Sequence, residues 1–446
     1  MKYSVNNPAI STASWLAWHE YVLSGEAKTI IYEQKEHAYY VLSGNAVSIW
    51  RKLSKESRNE KDALEYIYLT MGDDVEKYDD LPQSLNESIK AEGYIYDAHW
   101  DITNKCNERC VHCYNVCAHN GLRNVNVNEL SFEESQKLVD DLCYLGVFRI
   151  VLSGGEVLTK SFFIPLCRYI RSRHMQLIIY TNGLAFTEQL LQDLAEVYPS
   201  VVCFSVYGHN SQVHDGITHV AGSYKKVLYA LDFLKQHSIE TCCKNTLLKE
   251  NYAWWQQTLR KGRQIADKSL INSTIYPSLD GIGLSSHRIE EEQLTEFARN
   301  PESPIYYKRE YKGACNIFKP LDETPCYNKT NNVYINPQGE ICLCIAFQCV
   351  IASLREGNIR DLKRTEKKDV FVNDFAQLHG FERLDNWRSM KISDLEECGR
   401  YVYCKFCIDV CPGDAYLLTN SLLRAPENHC VIAKARYNAS LLDKTP

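Results

Sequence analysis

Three cysteines lie close together on one short stretch of the chain, which reads Cys106-Asn-Glu-Arg-Cys110-Val-His-Cys113-Tyr114. The stretch directly follows a strand predicted over residues 98–103. Three thiolates on one loop can bind three irons of a cubane iron–sulfur cluster, and the lack of a fourth ligand leaves one iron open for a small molecule. Structural zinc normally takes four protein ligands, so the alternative of a zinc site needs His112 or Cys117 as well.

The cysteines of the whole chain are unevenly distributed. Of 19 cysteines, none precedes residue 106, four lie within residues 106–117, and nine lie between Cys315 and Cys411. A disulfide scaffold is typical of short secreted chains. This chain is long, and its first residues lack the apolar core of a signal peptide. We therefore expect bound metal rather than disulfides, and a cytoplasmic location.

Length, charge and hydropathy limit the possible functions. A chain of 446 residues exceeds one ordinary core and predicts two or three domains. A formal net charge of −6 argues against a nucleic-acid partner, because such proteins are normally basic. No uninterrupted apolar stretch approaches the roughly 20 residues that span a bilayer, so no membrane segment is expected.

A second motif follows one strand–helix unit later, where a strand predicted over residues 149–153 ends in Ser153-Gly154-Gly155-Glu156. Paired glycines at the carboxyl end of a strand let a ligand approach the backbone closely. Backbone carbonyls there can accept from an ammonium group, and Glu156 could add a charged partner. Alone, the motif could be a simple turn; placed after the cysteine loop, it is specific.

Strands and helices alternate between residues 98 and 276. Buried apolar strands separated by amphipathic helices indicate parallel β/α units, and six strands suit an α/β fold with an open, partial (β/α)6 barrel. Chemistry in such a fold is expected at the carboxyl ends of the strands. The predicted strands are 98–103, 149–153, 176–180, 200–207, 240–247 and 270–276, and the predicted helices are 131–145, 161–173, 187–198, 223–237 and 252–266.

The cysteine loop and the Gly-Gly-Glu turn, in this order, resemble the radical S-adenosylmethionine (SAM) superfamily. The resemblance implies that Cys106, Cys110 and Cys113 hold a [4Fe–4S] cluster whose open iron binds SAM. It also implies that SAM is split into methionine and a 5′-deoxyadenosyl radical, which abstracts a hydrogen atom. The further residues expected to contact SAM are Gly154, Gly155, Glu156, Thr181, Asn182, Ser205 and Lys244. For Thr181, Asn182, Ser205 and Lys244, the alternative is a turn residue or a polar group at the end of a strand.

The C-terminal cysteines resemble the SPASM domain, an extension of radical SAM enzymes that binds auxiliary iron–sulfur clusters. The spacing Cys326-x12-Gly339-x4-Cys344 matches the first part of that pattern, whereas the second part, Cys398-x5-Cys404-x2-Cys407-x3-Cys411, has its first two gaps exchanged. The resemblance implies two auxiliary [4Fe–4S] clusters, with a pair of zinc sites as the alternative and Cys342 or Cys349 as substitute ligands. Its residue sets are Cys326, Cys344 and Cys411 with Cys315 for one cluster, and Cys398, Cys404, Cys407 and Cys430 for the other.

The first 93 residues are predicted to form a separate winged-helix-like domain. Two short strands, 29–33 and 37–42, precede helices predicted at 45–52, 60–71 and 81–92. This order resembles the recognition element of pathways for ribosomally synthesised peptides, which takes a leader peptide as an added strand. The alternative is an extension that only caps the next domain. The predicted domains are thus 1–93 for recognition, 94–310 for the barrel and 311–446 for the auxiliary clusters.

Together these resemblances imply an oxidoreductase that matures a precursor peptide carrying a leader. Auxiliary clusters could remove an electron from a peptide radical, which favours a carbon–carbon or thioether crosslink as the product. The alternatives are a peptide epimerase with a cysteine hydrogen donor, a formylglycine-type sulfatase maturase, and a non-catalytic metal-binding peptide adaptor. The electron donor is expected to be a flavodoxin or a ferredoxin.

Overall fold

The computed structural model describes residues 16–56, 60–115, 128–275, 285–308, 325, 332–363, 390–407 and 410–443. The predicted ligands Cys315 and Cys326, and the alternative ligand Cys117, lie outside these residues. Among the described residues, no helix combines the length and apolar character needed to cross a membrane.

The N-terminal region contains a four-stranded antiparallel sheet, not the two strands predicted. One face of the sheet packs on two helices and forms a small core around Trp50. The strands lie side by side in chain order, and the elements are β1 (Leu16–Leu23), β2 (Glu26–Glu33), β3 (Ala38–Leu42), α1 (Gly44–Glu56), α2 (Glu60–Thr70), β4 (Val75–Tyr78) and α3 (Gln83–Ala91).

A nine-stranded sheet forms the centre of the molecule. Its strands are β5 (Asp97–Asp101), β6 (Arg149–Ser153), β7 (Gln176–Thr181), β8 (Val201–Ser205), β9 (Thr241–Thr246), β10 (Lys268–Asn272), β11 (Asn332–Ile335), β12 (Glu340–Cys344) and β13 (Phe347–Ser353). The flanking helices are α4 (Phe132–Tyr144), α5 (Phe163–Ser172), α6 (Glu188–Val197), α7 (Ser211–Thr218), α8 (Ser223–Gln236) and α9 (Trp255–Ile265).

Strands β5 to β10 run parallel and adjacent in chain order, as the strand–helix alternation predicted. The sheet then continues beyond β5 with three strands from the C-terminal region. Strand β11 pairs with β5 in parallel, and β12 and β13 add to it antiparallel. The C-terminal region therefore extends the same sheet that the barrel strands begin.

Successive residues of the parallel strands alternate between two environments, as the two-residue period of a strand requires. On β5, Ala98 and Trp100 are each 1% exposed and belong to the core formed with the flanking helices. His99, between them, points the other way and is half-buried. We call the face opposite the helices the inner face. It carries His99, Val151, Tyr180, Cys203, Ser205, Cys242, Lys244 and Leu270.

The N-terminal sheet packs against the amino ends of the parallel strands. Its second face shares a cluster with Tyr96 and Phe148, the residues that precede β5 and β6. The backbone N–H of Trp18 donates to the carbonyl of His174 over 2.9 Å. The cysteine loop follows the carboxyl end of β5, so the N-terminal sheet and the cysteine loop lie at opposite ends of the parallel strands.

The last helices close the structure beside β10. Helix α12 (Glu427–Leu442) packs on α10 (Glu291–Arg299), and α11 (Pro412–Thr419) precedes it. The fully buried guanidinium of Arg436 donates to the carbonyl oxygens of Phe406, Tyr306 and Tyr307. A buried charge is tolerated there because backbone acceptors replace the lost water.

Candidate functional site

The cysteine loop, residues 104–115, is bound on one side to the end of β6. The N–H of Gly155 donates to the carbonyl of Thr103 over 2.7 Å, and the N–H of Glu156 donates to the carbonyl of Lys105 over 2.8 Å. Two backbone hydrogen bonds therefore hold the start of the loop to the Gly-Gly-Glu turn.

Both glycines of that turn are required by this close contact. A Cβ atom at Gly154 would lie 2.3 Å from the carbonyl oxygen of Thr103, and the residue has a φ of +130°. A Cβ atom at Gly155 would lie 2.3 Å from the oxygen of Lys105 and 2.6 Å from that of Asn104. The sequence predicted that the glycines admit a ligand; in the structure, the space beside them is filled by the backbone of the cysteine loop.

Helix α7 holds the loop on its other side. The N–H groups of Arg109 and Val111 donate to the carbonyls of Thr218 and Ile217 over 3.0 and 3.2 Å. Both carbonyls belong to the last turn of α7. Carbonyl groups in the last turn of a helix accept no hydrogen bond from within that helix, so the loop can use them. The loop is therefore clamped between the β6 turn and the end of α7, on both sides by backbone hydrogen bonds.

The two polar residues His214 and Asp215 support this clamp. The Asp215 carboxylate accepts from the N–H groups of Gly222 and Tyr224 over 2.7 and 2.9 Å, at the start of α8. The Nδ1 atom of His214 accepts from the N–H of Tyr207 over 3.2 Å. Both side chains fix the backbone around α7, a role that their sequence context did not reveal.

The carboxylate of Glu156 is buried and joins the ends of two strands. Its Oε1 accepts from the hydroxyl of Thr181 over 2.6 Å and from the N–H of Leu158 over 3.0 Å, while its Oε2 accepts from the N–H of Asn182 over 2.7 Å. Burial raises the pKa of this carboxyl to about 6. Both oxygens thus already have protein donors, so a contact of Glu156 with SAM remains a prediction.

Asn182 connects this network to the cysteine loop. Its side-chain amide donates to Oδ1 of Asn107 over 2.7 Å and lies 3.9 Å from the sulfur of Cys106. The structure therefore brings together Cys106, Glu156, Thr181 and Asn182 at the carboxyl ends of β6 and β7.

The three cysteines of the loop are close enough to influence one another's ionisation. Burial, together with repulsion from Glu156 and Cys113, raises the pKa of Cys106 to about 12. Burial also holds the pKa of Cys110 well above its usual range, with added repulsion from Glu108, Cys113 and Cys106. Thiolates at these positions therefore need a neighbouring positive charge, which an iron–sulfur cluster supplies.

The two kinds of metal site make different demands on their ligands. Among the described parts of the chain, no group of three or more His, Cys, Asp or Glu side chains is placed to hold a single metal ion. Zinc needs its sulfur ligands about 2.3 Å from one point, whereas the thiolates of a cubane bind a cluster of several irons.

Two further predicted SAM contacts lie on the inner face, away from the Glu156 network. Ser205 and Lys244 are neighbours in the register of β8 and β9. The Nζ atom of Lys244 lies 3.5 Å from the ring centroid of Tyr180, which is cation–π distance. The predicted SAM contacts therefore form two groups, one beside the cysteine loop and one on the inner face.

A hydrogen-bonded group that the sequence did not reveal anchors the far end of the loop. The hydroxyls of Tyr114 and Tyr334 donate to Oδ2 of the buried Asp101 carboxylate over 3.4 and 2.9 Å. Nε2 of His99 lies 3.3 Å from the other oxygen. Tyr334 belongs to β11, so this carboxylate joins the cysteine loop to the C-terminal region. Only three-dimensional pairing brings residues 101 and 334 together.

The described C-terminal cysteines form two neighbouring groups. Burial raises the pKa of Cys430 to about 12 and that of Cys398 to about 11, with Cys404 adding to both. These three belong to one predicted ligand set. Cys342 interacts instead with Cys349 and Cys344 near the β12–β13 hairpin. Cys344, Cys349, Cys398 and Cys407 border one apolar cluster, so the two groups are close together.

Residues 100–261 match the Radical SAM superfamily. Over these residues, about a third of its length, the chain is similar to a superfamily whose members are enzymes that bind SAM and a [4Fe–4S] cluster. The matched range includes the cysteine loop, the Gly-Gly-Glu turn and the strands β6 to β9 between their helices.

Several known proteins are similar to the chain. An AdoMet-dependent heme synthase of Methanosarcina barkeri is 24% identical to this chain. The match covers 37% of this chain and 46% of the length of that relative. The antilisterial bacteriocin subtilosin biosynthesis protein AlbA of Bacillus subtilis is 22% identical over 56% of this chain and 55% of its own. The crystal structure of Streptococcus suis SuiB bound to precursor peptide SuiA is 12% identical, covers 94% of this chain and 99% of its own, and has a TM-score of 0.54. That structure shares the fold.

Proposed function

We propose that the protein is a radical SAM enzyme that modifies a ribosomally made precursor peptide. The observation that carries the proposal is the clamped loop with Cys106, Cys110 and Cys113 at the carboxyl ends of a parallel sheet. When bound, the cluster and SAM supply a 5′-deoxyadenosyl radical that abstracts a hydrogen atom from the substrate.

The residues around the loop have distinct tasks in this proposal. The three cysteines hold the cluster, and Gly154, Gly155 and Glu156 keep the loop in place. Asn182, Ser205 and Lys244 offer the donors that a carboxylate or ribose of SAM can use.

A peptide as substrate is supported by two features. Among the described strands, β4 lies at an edge of the N-terminal sheet, and an edge strand is the kind of site that accepts an added peptide strand. The fold of SuiB, which was crystallised with a precursor peptide, extends over 94% of this chain, and AlbA acts in bacteriocin biosynthesis. We therefore propose residues 1–93 as the recognition domain, with a carbon–carbon or thioether crosslink as the product.

Two auxiliary [4Fe–4S] clusters on the C-terminal cysteines would accept the electron that crosslinking releases, and a flavodoxin or ferredoxin would reduce the enzyme.

The inner face favours a peptide epimerase as the second candidate. Cys203 and Cys242 lie on this face, at the level below Ser205 and Lys244. A thiol there can return a hydrogen atom to a substrate radical, so no electron has to leave.

The hypothesis that the protein is a radical SAM enzyme is tested by incubating reconstituted protein with SAM and dithionite. We expect 5′-deoxyadenosine from the wild type and none from the variant in which Cys106, Cys110 and Cys113 are alanine. A wild type without 5′-deoxyadenosine, or an active triple variant, would contradict the proposal. Iron analysis gives about four irons per chain for the loop cluster alone and about twelve for three cubanes.

The product is determined by mass spectrometry of a precursor peptide co-expressed with the enzyme. A loss of two hydrogens supports the crosslink. Unchanged mass with deuterium uptake from D2O supports the epimerase instead.

A further inference from the structure

A cavity of about 370 Å³ opens between α7 and the segment that follows β9. Sites for small ligands typically have volumes of about 300–1,000 Å³. Both elements follow the carboxyl ends of parallel strands, so the cavity lies at the same end of the sheet as the cysteine loop. The described residues that line it are Asn210, Gln212, Val213, Gly216, Ile217, Glu250 and Trp254.

Trp254 gives the cavity an aromatic wall. Its side chain is 44% exposed, although indole rings of this size are usually mostly buried. The ring of His209 supports the indole, with the two ring centroids 5.4 Å apart. Asn210 holds His209 in turn, because its side-chain amide donates to Nε2 of that histidine over 2.9 Å. An aromatic face that is held in place and open to a cavity is suited to a cationic or flat group.

Glu250 gives the cavity a negative charge. Its Oε1 lies 2.6 Å from Nδ1 of His287, and the backbone N–H of Lys249 donates to the carbonyl of His287 over 3.0 Å. These contacts fix the carboxylate, while its Oε2 has no hydrogen-bond partner among the described residues. No lysine or arginine belongs to the described lining, so the cavity favours a cation over an anion.

A guanidinium group matches this combination of an aromatic face and a carboxylate. It is planar and always charged, it stacks on aromatic rings, and its five N–H donors suit carboxylate acceptors. The exposed side chain of Gln212 adds an amide oxygen that can accept a further N–H. An ammonium group can approach the indole and the carboxylate, but it cannot stack as a plane, so arginine fits better than lysine.

We propose that this cavity binds the guanidinium group of an arginine side chain that belongs to the peptide substrate. The cavity is close to the site of the chemistry, because Ile217 lines it and the carbonyl of the same residue accepts from Val111 of the cysteine loop. The peptide as the source of the arginine rests on the function proposed above. The binding of arginine does not need the radical reaction, so each of the two proposals can fail without the other.

The binding is measured by fluorine NMR of the cluster-loaded protein labelled with 5-fluorotryptophan. The chain has seven tryptophans, and the Trp254→Phe variant assigns the signal of Trp254. Capped arginine, with its amino and carboxyl ends blocked, should shift this signal saturably. Capped citrulline, its neutral analogue, should bind at least tenfold more weakly, and capped lysine at least threefold more weakly. Equal affinity for citrulline, or equal shifts of all tryptophan signals, would overturn the site, and equal affinity for lysine would overturn the choice of a planar group.

Free L-arginine distinguishes the two sources of the guanidinium group. For a residue within a peptide, capped arginine should bind at least as tightly as free arginine. Tighter binding of free arginine would assign the cavity to the amino acid and refute a peptide as its ligand.

Three exposed positions test the role of charge. Glu250→Gln should weaken the binding of capped arginine at least tenfold. Glu290→Gln is the matched control, because this exposed carboxylate pairs with Lys249 outside the cavity, and its affinity should stay within threefold of wild type. Gln212→Glu adds a carboxylate to the lining and should tighten binding at least threefold. Equal losses in the first two variants, or no gain in the third, would refute the cavity as the place where arginine binds.

Discussion

The cysteine loop and the C-terminal cysteine region, residues 340–349 and 390–430, are held in place by different means. Backbone hydrogen bonds from two neighbouring elements fix the loop. Strand β6 belongs to the main core of the protein, and Ile217 of α7 belongs to a smaller apolar cluster against which Cys110 and Val111 of the loop also pack. The second region consists of a hairpin, short helical turns and a small apolar cluster around Phe347 and Leu395. The first site is therefore formed by the fold, whereas the second has few apolar contacts and depends more on what its cysteines bind.

This difference has a physical basis in how much each region buries. Among the residues that the structure describes, the core shared by the parallel strands and their helices contains more than forty buried apolar residues, and the C-terminal cluster contains six. Burial of apolar surface is the main stabilising contribution in folding. A cluster of six such residues cannot offset the entropy of ordering the surrounding turns, so metal ligation is the expected additional contribution.

The largest effect is expected from Gly155→Ala, which disturbs the backbone contact between the β6 turn and the cysteine loop. The new Cβ would meet two carbonyl oxygens of the loop at 2.3 and 2.6 Å, and neither can move without displacing the cysteines. We expect destabilisation beyond about 4 kcal/mol or a displaced loop, with iron at the loop reduced at least tenfold. The iron bound at the loop is measured by iron and sulfide analysis of a variant whose C-terminal cysteines are replaced.

Gly216→Ala is the matched control, because nothing lies within 4 Å of a Cβ at that helical position. Alanine also favours a helix over glycine by about 1 kcal/mol. If Gly216→Ala lost as much iron as Gly155→Ala, the close backbone contact would not be the cause.

Local sequence patterns predicted the elements of the barrel well. Strand β6 was predicted with its observed bounds. The helix predicted from residue 131 is α4, which begins with a capping box of Ser131 and Glu134. Helix α7 was not predicted, because its eight residues, with Gly216 near the centre, give too short a pattern. Strand β1 was missed in a segment of mixed polarity, and β4 has only four residues.

The missed features of the site depend on distant parts of the chain. The sequence identified the three cysteines, yet the carbonyls that hold their loop come from residues 217 and 218. The pairing of β11 with β5 joins positions more than 230 residues apart, which no local period reports. The glycine motif was predicted to admit a ligand, whereas its neighbour in the structure is the backbone of the cysteine loop, a fact that only packing could show.

Removal of metal should separate the two regions. With a strong chelator under reducing conditions, we expect the amides of residues 398–407 to lose hydrogen-exchange protection by at least tenfold. The amides of Arg109 and Val111 should change by less than threefold, because the β6 turn and α7 still hold them. Hydrogen exchange read by mass spectrometry measures both in one sample. Equal loss in both regions would show that the loop also needs metal to form.

A smaller effect is expected when the support of the clamp is weakened through Asp215→Ala. This change removes the acceptor for Gly222, Ser223 and Tyr224 at the start of α8. Loss of a capping side chain costs about 1–2 kcal/mol. The urea midpoint of the barrel should fall accordingly, while the exposed Asp232→Ala variant on the same helix should stay within about 0.5 kcal/mol of wild type. Equal midpoints for the two variants would count against the cap.

The smallest effect is expected at the contact that joins the two regions, through Tyr334→Phe. The change removes the 2.9 Å hydrogen bond to Asp101 and leaves Tyr114 as the described tyrosine donor to the same oxygen. A hydrogen bond to a charged group contributes about 1.5–3 kcal/mol, and the remaining donor should limit the loss to the lower end. The readout is hydrogen exchange of β11 relative to β5: protection should fall first in β11, because β5 is also held by β6 on its other side. Equal loss of protection in both strands would mean that the two regions unfold as one unit. The cysteine loop, formed by the fold, and the C-terminal region, formed by its ligands, would then not differ in stability where they meet.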